Sequence, residues 1–210
     1  MSRVAPAIRW RVTFLGSAGV FLILALLVGF GGVLPGERSI YEAVVGGVSP
    51  TGVAIFKTIK YLGSWHFLLP ASLLLFWLGP AEARRRWWLW AAVMVLAPMA
   101  EGVAKEIVGR PRPVGSARGF PSGHVTAAAA YFSLFAYLMS RQLKDRVLLL
   151  WIAVWVPVAL VGVARIVQRA HWPADVLGGV ALGLAFASAA FWWHEERAPE
   201  AAATRAHATL

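Results

Sequence analysis

The chain has 210 residues, 59% of them hydrophobic and only 14% charged, with a mean hydropathy of +0.66. A soluble domain carries about 45–50% apolar and roughly 25% charged residues, so the excess marks a membrane protein and excludes an ordinary soluble fold. There is no cysteine, which rules out disulfides, thiolate metal ligands and a cysteine nucleophile. The formal net charge of +10 would suggest nucleic acid in a soluble protein. Here the basic residues flank apolar runs, as juxtamembrane anchors do, and no nucleic-acid partner is expected.

Crossing about 30 Å of hydrocarbon takes ~20 mostly apolar residues. Six segments are read as spans, at about 11–34, 62–80, 87–108, 123–140, 147–165 and 173–193. The expected fold is therefore all-α: a polytopic membrane protein of six transmembrane helices with an active site at one membrane face. Strands are not expected, because open strands leave backbone groups unpaired in lipid and no period-2 barrel pattern occurs. Arg3, Arg9 and Arg11 precede the first span, and no small-residue cleavage site follows it. It reads as a retained span rather than a cleaved signal.

Between the first two spans, residues 36–61 place Ile55, Phe56 and Ile59 against Lys57 and Lys60. That pattern fits an amphipathic helix in the interface or a solvated loop. The second span is the weakest, its clean apolar stretch running only from His66 to Leu78. Trp87, Trp88, Trp90, Trp192 and Trp193 sit at span ends, where indole rings favour the headgroup layer. Residues 1–194 form one six-span domain, and the polar, Ala-rich residues 195–210 are expected to be a disordered cytoplasmic tail.

With six spans, both termini share a side with the 81–86 and 141–146 loops. That side holds eleven of the twenty cations and the other side nine; setting aside Lys105, Arg112 and Arg165 leaves 11 against 6. The positive-inside tendency then puts the termini in the cytoplasm and the polar clusters on the outward face.

Three polar clusters interrupt the apolar sequence. They run from Lys105 to Arg112-Pro113, over Pro121-Ser122-Gly123-His124, and from Arg165 through His171 to Asp175. Cations near a membrane interior are costly, so Lys105, Arg112 and Arg165 imply an anionic ligand, and arginine's planar fork suits phosphate. Ser122 and Gly123 open a helix, whose N-terminus offers free N–H groups to an anion. His171 and Asp175, four residues apart, share a helical face. A carboxylate on one ring nitrogen aims the other as a nucleophile. His124, on a different helix, can serve as general acid. Two histidines among three cations suit phosphoryl transfer through a phosphohistidine, with the cations taking the part of a metal. No metal or other cofactor is expected.

These clusters resemble the signature of the type-2 phosphatidic acid phosphatase superfamily, K-x6-R-P, then P-S-G-H, then S-R-x5-H-x3-D. Here it reads Lys105, Arg112-Pro113, Pro121 to His124, and Arg165, His171, Asp175. The resemblance implies that Lys105, Arg112, Ser122, Gly123 and Arg165 bind phosphate and that His171 attacks phosphorus. It implies also that His124 protonates the leaving group and that Asp175 orients His171. It further implies a metal-independent hydrolase of lipid phosphates or pyrophosphates: phosphatidic acid, phosphatidylglycerol phosphate, undecaprenyl pyrophosphate or lipid A phosphates. Such an enzyme sits in a bacterial inner membrane, its partners being the bilayer and its lipid substrate. The family's serine before the third-motif arginine is Ala164 here.

Other polar residues carry weaker signals. Glu101, within the third span, is expected to bond a neighbouring helix or Lys105. His66 reads as an interface residue, and Arg110, Arg118 and Arg169 as additions to the electrostatic pull on anions. An anionic-lipid transporter or scramblase is the competing class, and a catalytically silent lipid-binding relative a third. A transporter would need charges deep within spans, whereas these lie at span ends.

Overall fold

In the computed structural model, residues 4–115, 117–140 and 142–197 are described. They are helical throughout, apart from connecting turns and one isolated bridge pairing Pro111 with Arg118. The helices are α1 (Val4–Gly31), α2 (Glu37–Gly46), α3 (Pro50–Ile59), α4 (Trp65–Leu78), α5 (Ala81–Arg85), α6 (Trp87–Val108), α7 (Gly123–Ser140), α8 (Val147–Val167) and α9 (Pro173–Glu196).

The apolar surface is that of a protein in lipid. Phe30 is 93% exposed, and Leu22, Ile23, Leu26, Trp77, Ile107, Leu148 and Leu149 also point outward. Water does not tolerate a contiguous apolar face of this kind. Among the described residues, Ala7–Gly31, Val147–Val167 and Pro173–Glu196 are each long and apolar enough to cross a bilayer alone. The protein is thus a multi-pass, all-helical membrane protein.

Each of the six expected spans is matched by a helix, but not all have the composition of a lone span. α7 is the central helix, packed against α4, α6, α8 and α9, with Thr126, Ser133, Tyr131 and Tyr137 buried. Shielded by protein, it need not be lipid-like in composition. α4 has only 14 residues, preceded by a 3-10 turn at Lys60–Gly63. α1 begins at Val4, seven residues earlier than the apolar pattern suggests, because Arg9 and Arg11 are compatible with helix even where they end the hydrophobic run.

Within residues 36–61, the amphipathic pattern around Ile55 to Lys60 is helical as expected, and a second helix precedes it. The two are α2 and then α3 with its 3-10 extension, bent by 108°. Ser49 caps α3 by accepting the Gly52 N–H at 3.2 Å, and Pro50 follows at the first helical position. α3 packs on α8, and α2 on α8 and α9. The tail residues 198–210 lie outside the described part, and α9 continues to Glu196.

Close packing at the centre depends on small residues. A Cβ on Gly179 of α9 would lie 2.7 Å from the Ser122 backbone oxygen and 3.1 Å from Val125 Cβ. Only glycine lets α9 approach the start of α7 so closely. At the opposite end of the bundle, Trp10, Tyr137, Trp151 and Phe191 cluster with ring centroids 4.1–5.8 Å apart. Arg11 and Arg197 lie over Trp192 and Trp193 there, at 5.5 and 4.8 Å. Arg86 Nη1 donates to the His194 carbonyl at 3.3 Å. These contacts gather the start of α1, α6 and α8 and the end of α7 and α9 at one end. The end of α6 and α8 and the start of α7 and α9 therefore share the other.

Candidate active site

The three polar clusters occupy that second end. The segment from α6 to α7 folds back on itself: Arg112 N–H donates to Ala117 O at 3.2 Å, and Gly119 N–H to Arg110 O at 2.6 Å. It ends in a cis peptide between Phe120 and Pro121. Ser122 N–H then donates to Asp175 O at 2.9 Å, joining the start of α7 to the start of α9.

α8 ends in a tight turn. Arg169 N–H donates to Ile166 O at 2.8 Å, and Arg169 itself takes a left-handed φ of 56°. The turn carries the chain from Arg165 back to His171. Pro173 opens α9, and Asp175, in its first turn, accepts the Trp172 N–H on Oδ2 at 2.9 Å. Asp175 is thus a helix cap as well as a partner of His171.

His171 Nδ1 lies 3.4 Å from Asp175 Oδ2, and both side chains are buried. This is an ion-pair distance without the alignment of a formed hydrogen bond, and His171 Nδ1 has no hydrogen-bond partner. Catalytic hydrogen bonds are often long before substrate binds. The pairing leaves Nε2 as the free nitrogen. Burial pushes the His171 pKa below the usual histidine value; Asp175 opposes this, while Arg165 and Arg112 reinforce it. At neutral pH the ring is therefore uncharged and its Nε2 lone pair is available.

The remaining residues converge on this pair. His124 lies within electrostatic reach of Arg165, His171, Lys60 and Lys105, and Arg165 within reach of Arg112. Ser122 Oγ and Arg165 Nε are buried without hydrogen-bond partners among the described residues. A buried polar group without a partner is costly, and a ligand is one way to satisfy it. Ser122 Oγ is thus not spent on capping α7. All eight residues singled out by the motifs, namely Lys105, Arg112, Ser122, Gly123, His124, Arg165, His171 and Asp175, lie at one end of the bundle.

Gly123 has an additional reason to be glycine. A Cβ there would stand 2.7 Å from Glu101 Oε1, so the Glu101 carboxylate could not lie as it does. Glu101 forms an ion pair with Lys105 one turn later, as its position in the span suggested. Lys105 is therefore half-neutralised and held in place rather than free. Ala164 is fully buried.

Two expectations about the surrounding arginines need correction. Arg110 is no surface attractor for anions: its side chain is 1% exposed and bridges two carboxylates, Asp175 and Glu37. Arg118 pairs with Glu106 on the surface, so its pull on anions is reduced. Sequence reasoning gave Glu37 no role at all. Its partner is 73 residues away, and nothing local to Glu37 signals the contact.

A cavity of about 730 Å³ leads away from the site between α4, α6 and α7. Lys60, His66, Glu101 and His124 line it near the site, and Leu69, Ser72, Phe76 and Met94 continue it along the helices.

Residues 114–199 match the PAP2 superfamily. The chain is 31% identical over 175 residues to phosphatidylglycerophosphatase B of Bacillus subtilis (strain 168), covering 78% of this chain and 86% of that one. It is 26% identical over 214 residues to a lipid A 1-phosphatase of Rhizobium johnstonii, covering 86% of this chain and 79% of that one. In three dimensions it resembles the crystal structure of the transmembrane PAP2-type phosphatidylglycerolphosphate phosphatase from Bacillus subtilis. The TM-score is 0.77 at 27% identity, covering 88% of this chain and 96% of that one. Aquifex aeolicus LpxE shares the fold, with a TM-score of 0.56 at 23% identity over 73% of this chain and 93% of that one.

Fold, site and relatives together define an integral-membrane enzyme that hydrolyses lipid phosphates. The chain belongs to the PAP2 superfamily.

Proposed function

We propose that this protein hydrolyses a phosphomonoester or pyrophosphate of a membrane lipid, without a metal, through a phosphohistidine. The observation that carries the mechanism is the buried His171–Asp175 pair within reach of Arg112 and Arg165. His171 Nε2 attacks the terminal phosphorus, and as the new N–P bond forms the bond breaks to the lipid oxygen of a monoester or to the bridging oxygen of a pyrophosphate. His124 gives its proton to the departing oxygen. Water then attacks the phosphohistidine, His124 takes a proton from it, the N–P bond breaks, and inorganic phosphate leaves.

Lys105, Arg112, Arg165, Ser122 Oγ and the N–H groups opening α7 bind the phosphate oxygens. Their charge stabilises the transition state, a task a metal performs in other phosphoryl-transfer enzymes. Asp175 balances the charge His171 acquires.

The helices that match the six expected spans form the transmembrane bundle, α2 and α3 lying against it beside the site. With the basic residues concentrated at the Trp10–Trp192 end, that end faces the cytoplasm and the site faces outward from a bacterial inner membrane. The cavity between α4, α6 and α7 receives the lipid chain, so substrate enters sideways from the bilayer. Phosphatidic acid, phosphatidylglycerol phosphate and undecaprenyl pyrophosphate all meet the chemical requirement of an anionic head on a long apolar chain. The named activities of the Bacillus and Rhizobium relatives support this substrate class.

The test is phosphate release from a detergent-solubilised panel of these lipids and lipid A 1-phosphate, with chelator present, for wild type and His171→Ala. Wild type is expected to release phosphate and His171→Ala not to. No release on any lipid removes the enzyme reading and favours an anionic-lipid transporter. Loss of activity on adding chelator removes the metal-free mechanism.

A further inference from the structure

The buried group that this mechanism leaves unused is the ion cluster behind Asp175. Arg110 Nη1 donates to Asp175 Oδ1 at 2.7 Å, on the side of the carboxylate away from His171. Its other terminal nitrogen, Nη2, pairs with Glu37 Oε2. Glu37 is fixed in turn: its Oε1 accepts the Ala174 N–H at 2.8 Å and its Oε2 the Leu34 N–H at 2.9 Å. Arg110, Glu37 and Asp175 are all at most 4% exposed. The Arg110 guanidinium also lies 5.8 Å from the centre of the Trp172 ring.

Charge accounting shows what the second carboxylate does. Arg110 and Asp175 alone would form a neutral pair, and a neutral pair has little left with which to balance a cation on His171. With Glu37 present the cluster carries one net negative charge in a site shielded from water. Removing Arg110 would leave two buried carboxylates without their shared cation, whereas removing the Glu37 charge leaves a neutral Arg110–Asp175 pair.

We infer that Glu37 and Arg110 are positioning residues for the reaction. Arg110 grips Asp175 so that Oδ2 faces His171, and Glu37 keeps the cluster anionic so that Asp175 can balance the charge developing on the His171 ring. This rests on the His171–Asp175 reading above. It also gives α2 a purpose: a short helix outside the motif region brings Glu37 to the back of the site.

The experiment is the pH dependence of kcat and KM on a lipid phosphate for wild type, Glu37→Gln and Arg110→Lys, with His171→Ala as control. Each protein is first checked for monodispersity and a cooperative helical melt in detergent. His171 is faced by Asp175 on α9, Arg165 on α8, His124 on α7 and Arg112 in the segment after α6, and none of these changes in either variant.

Glu37→Gln is expected to lower kcat by roughly ten- to a hundredfold with KM nearly unchanged, the range seen when an outer partner of a working histidine is lost. Losing a negative charge also makes the protonated His171 less favourable, so the acid limb moves to lower pH. Arg110→Lys keeps the charge but loses the two-pronged grip, so kcat falls without that displacement.

A folded Glu37→Gln enzyme with wild-type kcat and an unmoved acid limb overturns the inference, as does a rise in KM with kcat intact. If Glu37→Gln does not fold, Arg110→Lys decides by its kcat. If neither folds, the cluster is a structural staple and the inference fails. Activity in His171→Ala would instead overturn the phosphohistidine reading, whatever the other two variants do.

Discussion

Asp175 Oδ2 stands between the Trp172 N–H at 2.9 Å and His171 Nδ1 at 3.4 Å, so one carboxylate oxygen both caps α9 and faces the His171 ring. The cap fixes the oxygen before substrate arrives. Asp175→Asn keeps the size of the side chain but loses the charge that balances an imidazolium. In a serine-protease triad the same change costs about 10⁴-fold in kcat. For Asp175→Asn a fall of at least about 10³-fold is expected, measured as phosphate release under saturating lipid.

The pH profile should carry the same signature. Burial lowers the His171 pKa, so the ring loses its proton below the ordinary value of about 6.5. In the proposed mechanism His171 acts as the neutral ring, so activity is expected to be lost as pH falls through the lowered value. The acid limb of kcat/KM is therefore expected below pH 6.5. A limb above 6.5 would contradict the burial argument; a pH series from 4 to 8 on one lipid decides it.

Ser122 offers a separation of binding from folding. Its Oγ is buried without a partner, so Ser122→Ala removes an unsatisfied hydroxyl and should leave thermal stability unchanged or slightly raised. If the hydroxyl meets phosphate, activity falls nevertheless, by roughly tenfold for a single donor worth about 1.4 kcal/mol. A melting curve and a rate on the same preparation suffice.

Two glycine substitutions should behave differently. In Gly179→Ala the new methyl meets the Ser122 backbone oxygen at 2.7 Å, and backbone at the crossing of α7 and α9 cannot yield. A loss of about 1–3 kcal/mol is expected. In Gly123→Ala the methyl meets the Glu101 carboxylate, the far end of a flexible side chain. Stability should change by less than about 1 kcal/mol, but Glu101 swings away and Lys105 loses its anchor, so activity falls. Denaturation midpoints alongside rates distinguish the two.

The cavity predicts a chain-length effect. Ser72→Trp, placed in its wall, should reduce hydrolysis of long-chain lipid phosphates far more than that of a short, water-soluble analogue. Equal loss on both substrates would mean that the cavity is not the chain's path.

By itself the sequence determined the class of protein and named most of the candidate site. Hydrophobic runs of helical length leave a membrane chain few alternatives, and the order and spacing of Lys105, Arg112, Ser122 to His124, Arg165, His171 and Asp175 carried the chemistry. Even the Glu101–Lys105 pair was legible, because partners four residues apart on a helix are local. Tertiary structure alone decided what depends on contacts between distant segments. The amphipathic pattern at Ile55 to Lys60 marked α3, but α2 and the 108° bend between them depend on packing against α8 and α9, which no local periodicity reports. The buried Thr126 and Ser133 of α7 are tolerated because protein rather than lipid surrounds that helix. Arg110, expected to add to the pull on anions, instead bridges Asp175 and Glu37, because a buried charge is defined by its partners, and those lie 65 and 73 residues away in the chain.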